Sequence, residues 1–270
     1  MILNETYAYL VGKVMGDGHL EKRLGSCYFI SGSKSDLERL SELIKKEFSL
    51  SERNIDYIKQ SYNHGISFKI RIKNTNFCRE LYLRGAPKGR KVETRFSVPS
   101  WIRKNKRYSK VFLQGILEDE LTTIKIKRKN HANNPQFKMS KMPDLIESHK
   151  EFVSEIRSMI LNFGLECGEI KVILSRKDAK TLCVYFHLQR NKKNILRFKK
   201  EIGFKLNEEK TRELDRCCST ITNSLRKPID KNKIIILRKK GIKLREIASE
   251  LNISIRTVIR ILKKEKEKAT

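Results

Sequence analysis

One feature limits what this chain can fold into: its pattern of elements occurs twice. Thr6 to Met15 reads as an apolar helix ending in Gly16-Asp17-Gly18, followed by a strand at Cys27 to Ile30. A second helix is expected from Ser35, where Glu38 three residues on completes a capping box, with Leu37, Leu40, Leu43, Ile44 and Phe48 on one face. Alternating strands at Ile55 to Ile58 and Ile66 to Ile72, joined around Asn63-His64-Gly65, lead into a helix from Asn76 to Leu83. The order then returns after Trp101. Ser109 to Leu117 is an apolar helix with the acidic end Glu118-Asp119-Glu120, followed by strands at Thr122 to Lys127 and Gln136 to Met139. A long helix from Leu145 to Phe163, strands at Ile170 to Leu174 and Leu182 to Leu188, and helices at Lys193 to Ile202 and Glu208 to Ile221 complete it. Gly12 and Gly115 sit at matching places, 103 positions apart. The expected class is α/β in the α+β sense, with two pseudo-symmetric αββαββα repeats at residues 1–107 and 108–225.

Residues 226–270 break the pattern. They hold 15 Lys and Arg against 5 Asp and Glu, and Lys227-Pro228 marks a linker. Three helices are expected beyond it, at Lys231 to Lys240, Leu244 to Leu251 and Ile255 to Lys264, with Ser254 as N-cap of the last. Ala248 and Ile253 at inner positions of the turn fit a small all-α helix-turn-helix domain.

Charge narrows the partner. The 270 residues carry 60 Lys and Arg against 31 Asp and Glu, a formal net charge of +29, and 39% are hydrophobic, enough for a packed core. An excess of that size is matched by a nucleic-acid phosphate backbone. No run approaches the 18 apolar residues of a membrane span, no basic amphipathic helix suited to a lipid surface stands out, and Met1 to Thr6 lack a secretory pattern. An intracellular, cytoplasmic, reducing location is expected. Six scattered cysteines with no CxxC pair read as reduced thiols, and neither they nor the five histidines show zinc spacing. Tyr28, Phe29, Tyr57 and Phe68 are expected in the helix–sheet core. No phosphate-binding loop or nucleophile–histidine signature is present.

The chemistry concentrates at the two helix ends. Leu10-Val11-Gly12-Lys13-Val14-Met15-Gly16-Asp17-Gly18 and Leu113-Gln114-Gly115-Ile116-Leu117-Glu118-Asp119-Glu120-Leu121 align without a gap. Gly12 and Gly16, four apart, bare one helix face for close approach of another backbone. Two such helices crossing in one chain would bring Asp17 and Glu120 together, and paired carboxylates suit Mg²⁺. The two segments resemble the paired motifs of the LAGLIDADG homing endonucleases. The first matches in its third-place Gly, eighth-place acid and ninth-place Gly. The second keeps Gly115 and Glu120 but has Asp119 where a small residue is usual and Leu121 where Gly is usual. Val98-Pro99-Ser100-Trp101-Ile102 looks like that family's inter-repeat segment, and the resemblance covers roughly residues 5–222.

The resemblance implies a monomer with internal pseudo-two-fold symmetry whose antiparallel sheets form a saddle on double-stranded DNA. It implies phosphodiester hydrolysis with Mg²⁺ or Mn²⁺ at Asp17 and Glu120, the backbone carbonyls of Gly16 and Asp119 as further ligands, and basic groups nearby, for which Lys73 and Lys192 are the nearest candidates. The saddle would place Lys69, Arg71 and Lys73 of one repeat, and Lys125, Lys127, Lys138 and Arg190 of the other, against DNA. Arg256, Thr257 and Arg260 would act from the recognition helix. Two alternatives on the same core stay open: a non-cleaving transcription regulator of the WhiA kind, and an RNA-splicing maturase.

Overall fold

The computed structural model describes residues 3–62, 65–128, 131–175, 180–221, 231–251 and 253–269. The chain divides into two compact units, residues 1–222 and 223–270.

The larger unit runs α1 (Glu5–Met15), β1 (His19–Leu20), β2 (Cys27–Ser31), α2 (Lys34–Phe48), β3 (Ile55–Tyr62), β4 (Gly65–Ile72), α3 (Thr75–Leu83) and the short α4 (Ser100–Arg103). It continues through α5 (Lys106–Glu120), β5 (Ile126–Arg128), β6 (His131–Ala132), β7 (Gln136–Lys141), α6 (Ile146–Asn162), β8 (Lys171–Leu174), β9 (Leu182–His187), α7 (Lys192–Glu201) and α8 (Glu208–Thr220). Asparagine starts many of these helices. The side chains of Asn4, Asn74, Asn105, Asn191 and Asn207 each accept a backbone N–H from the first turn, satisfying donors that the helix itself leaves unpaired. The cap of α2 is Ser33, which accepts from Asp36, and not Ser35. The expected partner of Ser35, Glu38, pairs instead with Lys34 at 2.8 Å.

The two repeats share one plan of antiparallel pairing. In the first, the sheet order is β1-β2-β4-β3. In the second it is β7-β9-β8, and the counterpart of β1 shrinks to a bridge between Leu121 and Phe137, with Thr122 N–H donating to the Gln136 carbonyl at 2.9 Å. The stretch from Thr122 to Lys127 is therefore not one strand. Residues 126–128 form β5, which pairs with β6 as a separate two-stranded ribbon inserted in the second repeat. Asn133 organises the approach, its side chain accepting from Lys125 N–H at 3.1 Å and donating to the Thr123 carbonyl at 2.7 Å.

Alternation sends one face of each sheet inward. Ile70 and Ile72 of β4 and Phe29 of β2 are fully buried, while Ser67, Lys69 and Arg71 occupy the opposite face. Tyr28 shares that outer face rather than the core, with the Lys69 ammonium 4.1 Å above its ring. Tyr57, opposite the buried Ile70 on the edge strand β3, shares the inner face and sets its hydroxyl against Ser41 Oγ of α2, but the sheet edge leaves it 45% exposed. The expectation of core placement holds for Phe29 and, at its margin, for Phe68. At the centre of the unit α1 and α5 pack against each other, with Tyr9, Leu10, Val14, Phe112, Leu113, Ile116 and Leu117 fully buried.

The smaller unit holds α9 (Lys231–Lys239), α10 (Leu244–Glu250) and α11 (Ile255–Ala269) around its own core of Ile234, Ile247, Ala248, Val258 and Ile261. Gly241 turns the chain between α9 and α10 at φ +80, a conformation that suits glycine. Ser254 caps α11 as expected, accepting from Thr257 N–H at 3.2 Å.

Candidate active site

The crossing of α1 and α5 is set by two glycines acting reciprocally. A Cβ on Gly12 would lie 2.4 Å from the Phe112 carbonyl oxygen, and a Cβ on Gly115 would lie 2.4 Å from that of Tyr9. Each helix thus occupies the space that a side chain on the other would need. The motif ends are brought together below this crossing. Gly16 lies against the Asp119 side chain, whose carboxylate would be 2.6 Å from an added Cβ. The Asp17 N–H donates to Asp119 Oδ2 at 3.0 Å.

Asp119 departs from the motif the second segment resembles, and a charge at this position requires a partner. Lys13 provides it. Its ammonium forms an ion pair with Asp119 and lies 4.0 Å from Glu118, with both carboxylates and the lysine almost fully buried. Burial pushes the Asp119 carboxyl up to about 6 against the pull of Lys13. Burial lowers Lys13 as well, but the charges of Asp119 and Glu118 outweigh it and leave the ammonium held more firmly than usual.

Glu118 ties the helix end to the connection between α7 and α8. It accepts from Tyr9 OH at 2.5 Å and from the backbone N–H groups of Lys205 and Leu206 at 2.5 and 2.6 Å. Lys210 donates to the carbonyls of Glu118 and Leu121, both at 2.6 Å. Those are orphan acceptors at the end of α5, so the lysine closes the helix where Leu121 replaces glycine.

Asp17 is exposed, and Glu120 is half-buried. Burial, then the charge of Asp17, raises the Glu120 carboxyl far above the usual carboxylate range, with Lys91 opposing. Two acids from different repeats thus act on one another, next to the half-buried Lys91. Lys91 donates to the Val14 carbonyl at 3.1 Å. Burial lowers it, while Glu120, Asp17 and Asp119 in turn favour its charge. Its backbone is held from the second repeat, since Lys141 Nζ donates to the Lys91 carbonyl at 2.5 Å and Met142 N–H to the Val92 carbonyl at 3.1 Å.

Lys91, Lys13 and Lys141 were not singled out by sequence reasoning. In a chain with 60 Lys and Arg, no spacing distinguishes them. For Lys13 a signal existed, because it is a charged residue inside an otherwise apolar helix.

The other expected site residues are spread more widely. Lys73 follows β4 and pairs with Asp56 at 2.9 Å. Lys192 opens α7 behind the Asn191 cap. Arg71 lies 5.5 Å over the Tyr28 ring and donates to Ser26 Oγ at 3.0 Å. Lys138 is exposed on β7 opposite Tyr185, and Arg190 is exposed after β9. Lys125 is exposed ahead of β5. The Lys127 side chain lies outside the described residues. On α11, Arg256 and Arg260 are exposed, whereas Thr257 packs its hydroxyl against Ser254 Oγ at 2.8 Å.

Among the described residues no group of three or more His, Cys, Asp and Glu side chains forms a metal cage. Mg²⁺ takes one or two carboxylates together with substrate phosphates, and Asp17 and Glu120 fit that donor set. They are hard oxygen donors whose mutual repulsion a cation would relieve. Among the described residues no helix is long and apolar enough to cross a membrane.

No family model matches the chain. It is 28% identical over 218 residues to the tRNA-splicing ligase RtcB of Methanopyrus kandleri, covering 76% of this chain and 21% of the relative. It is 30% identical over 214 residues to the replication factor C small subunit of Methanocaldococcus jannaschii, covering 73% of this chain and 11% of the relative. The chain therefore spans about a fifth or less of the length of these curated relatives. Among solved structures it is similar to the homing endonuclease I-DmoI, with a TM-score of 0.48 and 12% identity over 78% of this chain and 97% of that one. It is also similar to full-length DUF199/WhiA from Thermatoga maritima, with a TM-score of 0.49 and 15% identity over 96% of this chain and 89% of that one.

Proposed function

We propose that the chain is a site-specific endonuclease that hydrolyses phosphodiesters of double-stranded DNA with a divalent metal ion, Mg²⁺ or Mn²⁺. The observation that carries this reading is the meeting of the two motif ends, one from each repeat, under a helix crossing built by Gly12 and Gly115, where the Asp17 N–H donates to Asp119 Oδ2 at 3.0 Å, one residue from Glu120. Asp17 and Glu120 would hold the metal, with the carbonyls of Gly16 and Asp119 as further oxygen donors. When bound, such an ion polarises a scissile phosphate and activates water.

The chain's own groups do the rest. Lys91 keeps a fixed cation beside the two acids, where charge develops on a phosphate under attack, and preorganised charge of this kind is a large catalytic term. Lys13 neutralises Asp119, which keeps that carboxylate on the Asp17 amide and the motif ends in register. Lys69, Arg71, Lys138 and Arg190 present cations for phosphates and guanine edges, with Lys73 and Lys125 as further cations for the same role. The α11 cations extend the footprint. One monomer with internal pseudo-symmetry suffices for this arrangement.

The sequence relatives bear two unrelated names, a tRNA-splicing ligase and a replication factor C small subunit, and share with this chain only a small part of their length. That favours a module common to different hosts over transfer of either host activity.

The separate three-helix unit, with its own core and exposed arginines, favours a second reading, a DNA-binding regulator on a core that no longer cuts. The test is incubation of the protein and Mg²⁺ with a duplex DNA library. Asp17→Asn should abolish cleavage and keep binding. Undiminished cutting by that variant would remove the assignment, specific binding without cutting by the unaltered chain would support the regulator, and RNA-selective binding would point to a maturase.

A further inference from the structure

We propose that α11 reads thymine through its methyl group, using Ile255 and Ile259. The inference rests on the DNA-binding part of the function proposed above and names the base edge that this helix recognises.

Val258 and Ile261 turn into the core of the three-helix unit, which leaves residues 255, 256, 259, 260 and 263 on one outward stripe. Within that stripe Ile255 and Ile259 form a row, 40% and 49% exposed and one helical turn apart. Arg256, Arg260 and Lys263 form an adjoining row, all exposed. Single exposed isoleucines are ordinary. Two β-branched chains in line beside a cationic row, on the second helix of a helix-turn-helix pair, are not explained by packing within the unit.

Charge selects the occupant. Residues 255–263 carry three cations and no acid, so pairing this face with a second copy would set like charges against each other in a chain of net charge +29. A major groove offers the complement, phosphates along its walls and, on its floor, the thymine C5-methyl, the apolar group that side chains such as Ala and Thr touch there. Thr257, the other candidate reader, has its hydroxyl against Ser254 in the helix cap. Apolar reading therefore falls to the two isoleucines.

The test uses the full chain without divalent metal, so that cutting plays no part. A site selected from a random duplex pool is resynthesised with uracil in place of thymine, one position at a time. Uracil keeps every hydrogen-bonding group and loses only the methyl. At one or two positions the affinity should fall about fourfold, the factor for about 0.8 kcal/mol per buried methyl. Ile255→Ala and Ile259→Ala, which keep a good helix former, should each erase one of these differences and leave the salt dependence unchanged.

Equal binding of thymine and uracil at every position overturns the proposal, as does a preference that survives in the double variant. A chain that sediments as a dimer and becomes a monomer on Ile259→Ala would assign the face to a second copy. Absence of any duplex binding removes this inference and the DNA-binding reading together. Methyl-dependent binding without Mg²⁺-dependent cleavage removes only the endonuclease reading.

Discussion

The backbone N–H of Asp17 donates to the side chain of Asp119 at 3.0 Å, so the end of the first motif is held by a residue at which the second motif departs from the pattern it resembles. Lys13 completes the arrangement by pairing with the same carboxylate. A substitution that would bury an unpaired charge in an isolated motif thus becomes a fixed link between the two repeats.

That link predicts a double-mutant result. Lys13→Met or Asp119→Asn alone should destabilise the protein by about 3 kcal/mol, because each leaves a buried partner uncompensated. The double variant should lose clearly less than the sum of the two, by at least about 1 kcal/mol. Denaturant unfolding of the four proteins measures the coupling, and strict additivity would show that the pair does not interact.

The helix crossing predicts an intolerance of the smallest side chain. Gly12→Ala and Gly115→Ala each place a methyl 2.4 Å from a carbonyl oxygen of the opposing helix. Backbone cannot yield as a flexible side chain does, so each should cost about 2–4 kcal/mol, outweighing the ~1 kcal/mol that alanine gains in helix propensity. Gly32→Ala, where nothing lies within 4 Å, should be close to neutral in the same denaturation measurement.

Lys91 is expected to matter for rate rather than affinity. Lys91→Met removes the cation beside Asp17 and Glu120 and should reduce single-turnover cleavage about 100-fold, the scale for loss of one preorganised electrostatic group. DNA affinity should barely change, because this one half-buried ammonium is a small part of the cationic surface. A weakened affinity with normal cleavage of bound DNA would contradict this role.

His149 predicts the acid limb of the stability curve. Burial, and then Lys141, lowers its pKa to about 4, and its ring stacks on Phe152 with centroids 5.8 Å apart. Between its ordinary value and about 4 the unfolded chain binds a proton that the folded chain refuses, so stability falls as the pH drops through that window. His149→Leu should remove this contribution, retaining roughly 2 kcal/mol more of its neutral-pH stability at pH 4.5 than the unaltered protein does. Parallel pH–Tm curves for the two proteins would refute the assignment.

Arg256 and Arg260 predict a salt effect. Replacing both with Gln should lower the slope of log affinity against log salt by about 2, one for each phosphate that is no longer neutralised. An unchanged slope would place this face away from the DNA backbone.

Much of this was legible in the sequence because it depends on local period and spacing. The twofold recurrence, the α1 and α5 motifs with Gly12 and Gly115 in matching places, the three C-terminal helices and the Ser254 cap can each be read from a short window. Other features were not. Glu38 three residues after Ser35 satisfied a capping pattern, but Ser33 captured the first amides of α2. The stretch 122–127 had the composition of a strand, but its partner was settled elsewhere: the Leu121–Phe137 bridge and Asn133 left only residues 126–128 for a ribbon with β6. Tyr28 and Tyr57 looked like core residues by type, but strand register placed Tyr28 on the outer face, and the edge position of β3 left Tyr57 half open on the inner one.

The sequence by itself determined the two glycine-bearing helices, the acids that close them and the cationic excess, since these are properties of residue type and interval. Only the tertiary structure decided which lysines among so many belong with those acids. Lys13, Lys91 and Lys141 are chosen by being desolvated at a helix crossing and at the segment around Lys91 that joins the two repeats. Desolvation arises from the packing of residues 50 to more than 100 positions apart, and no local window of sequence contains them.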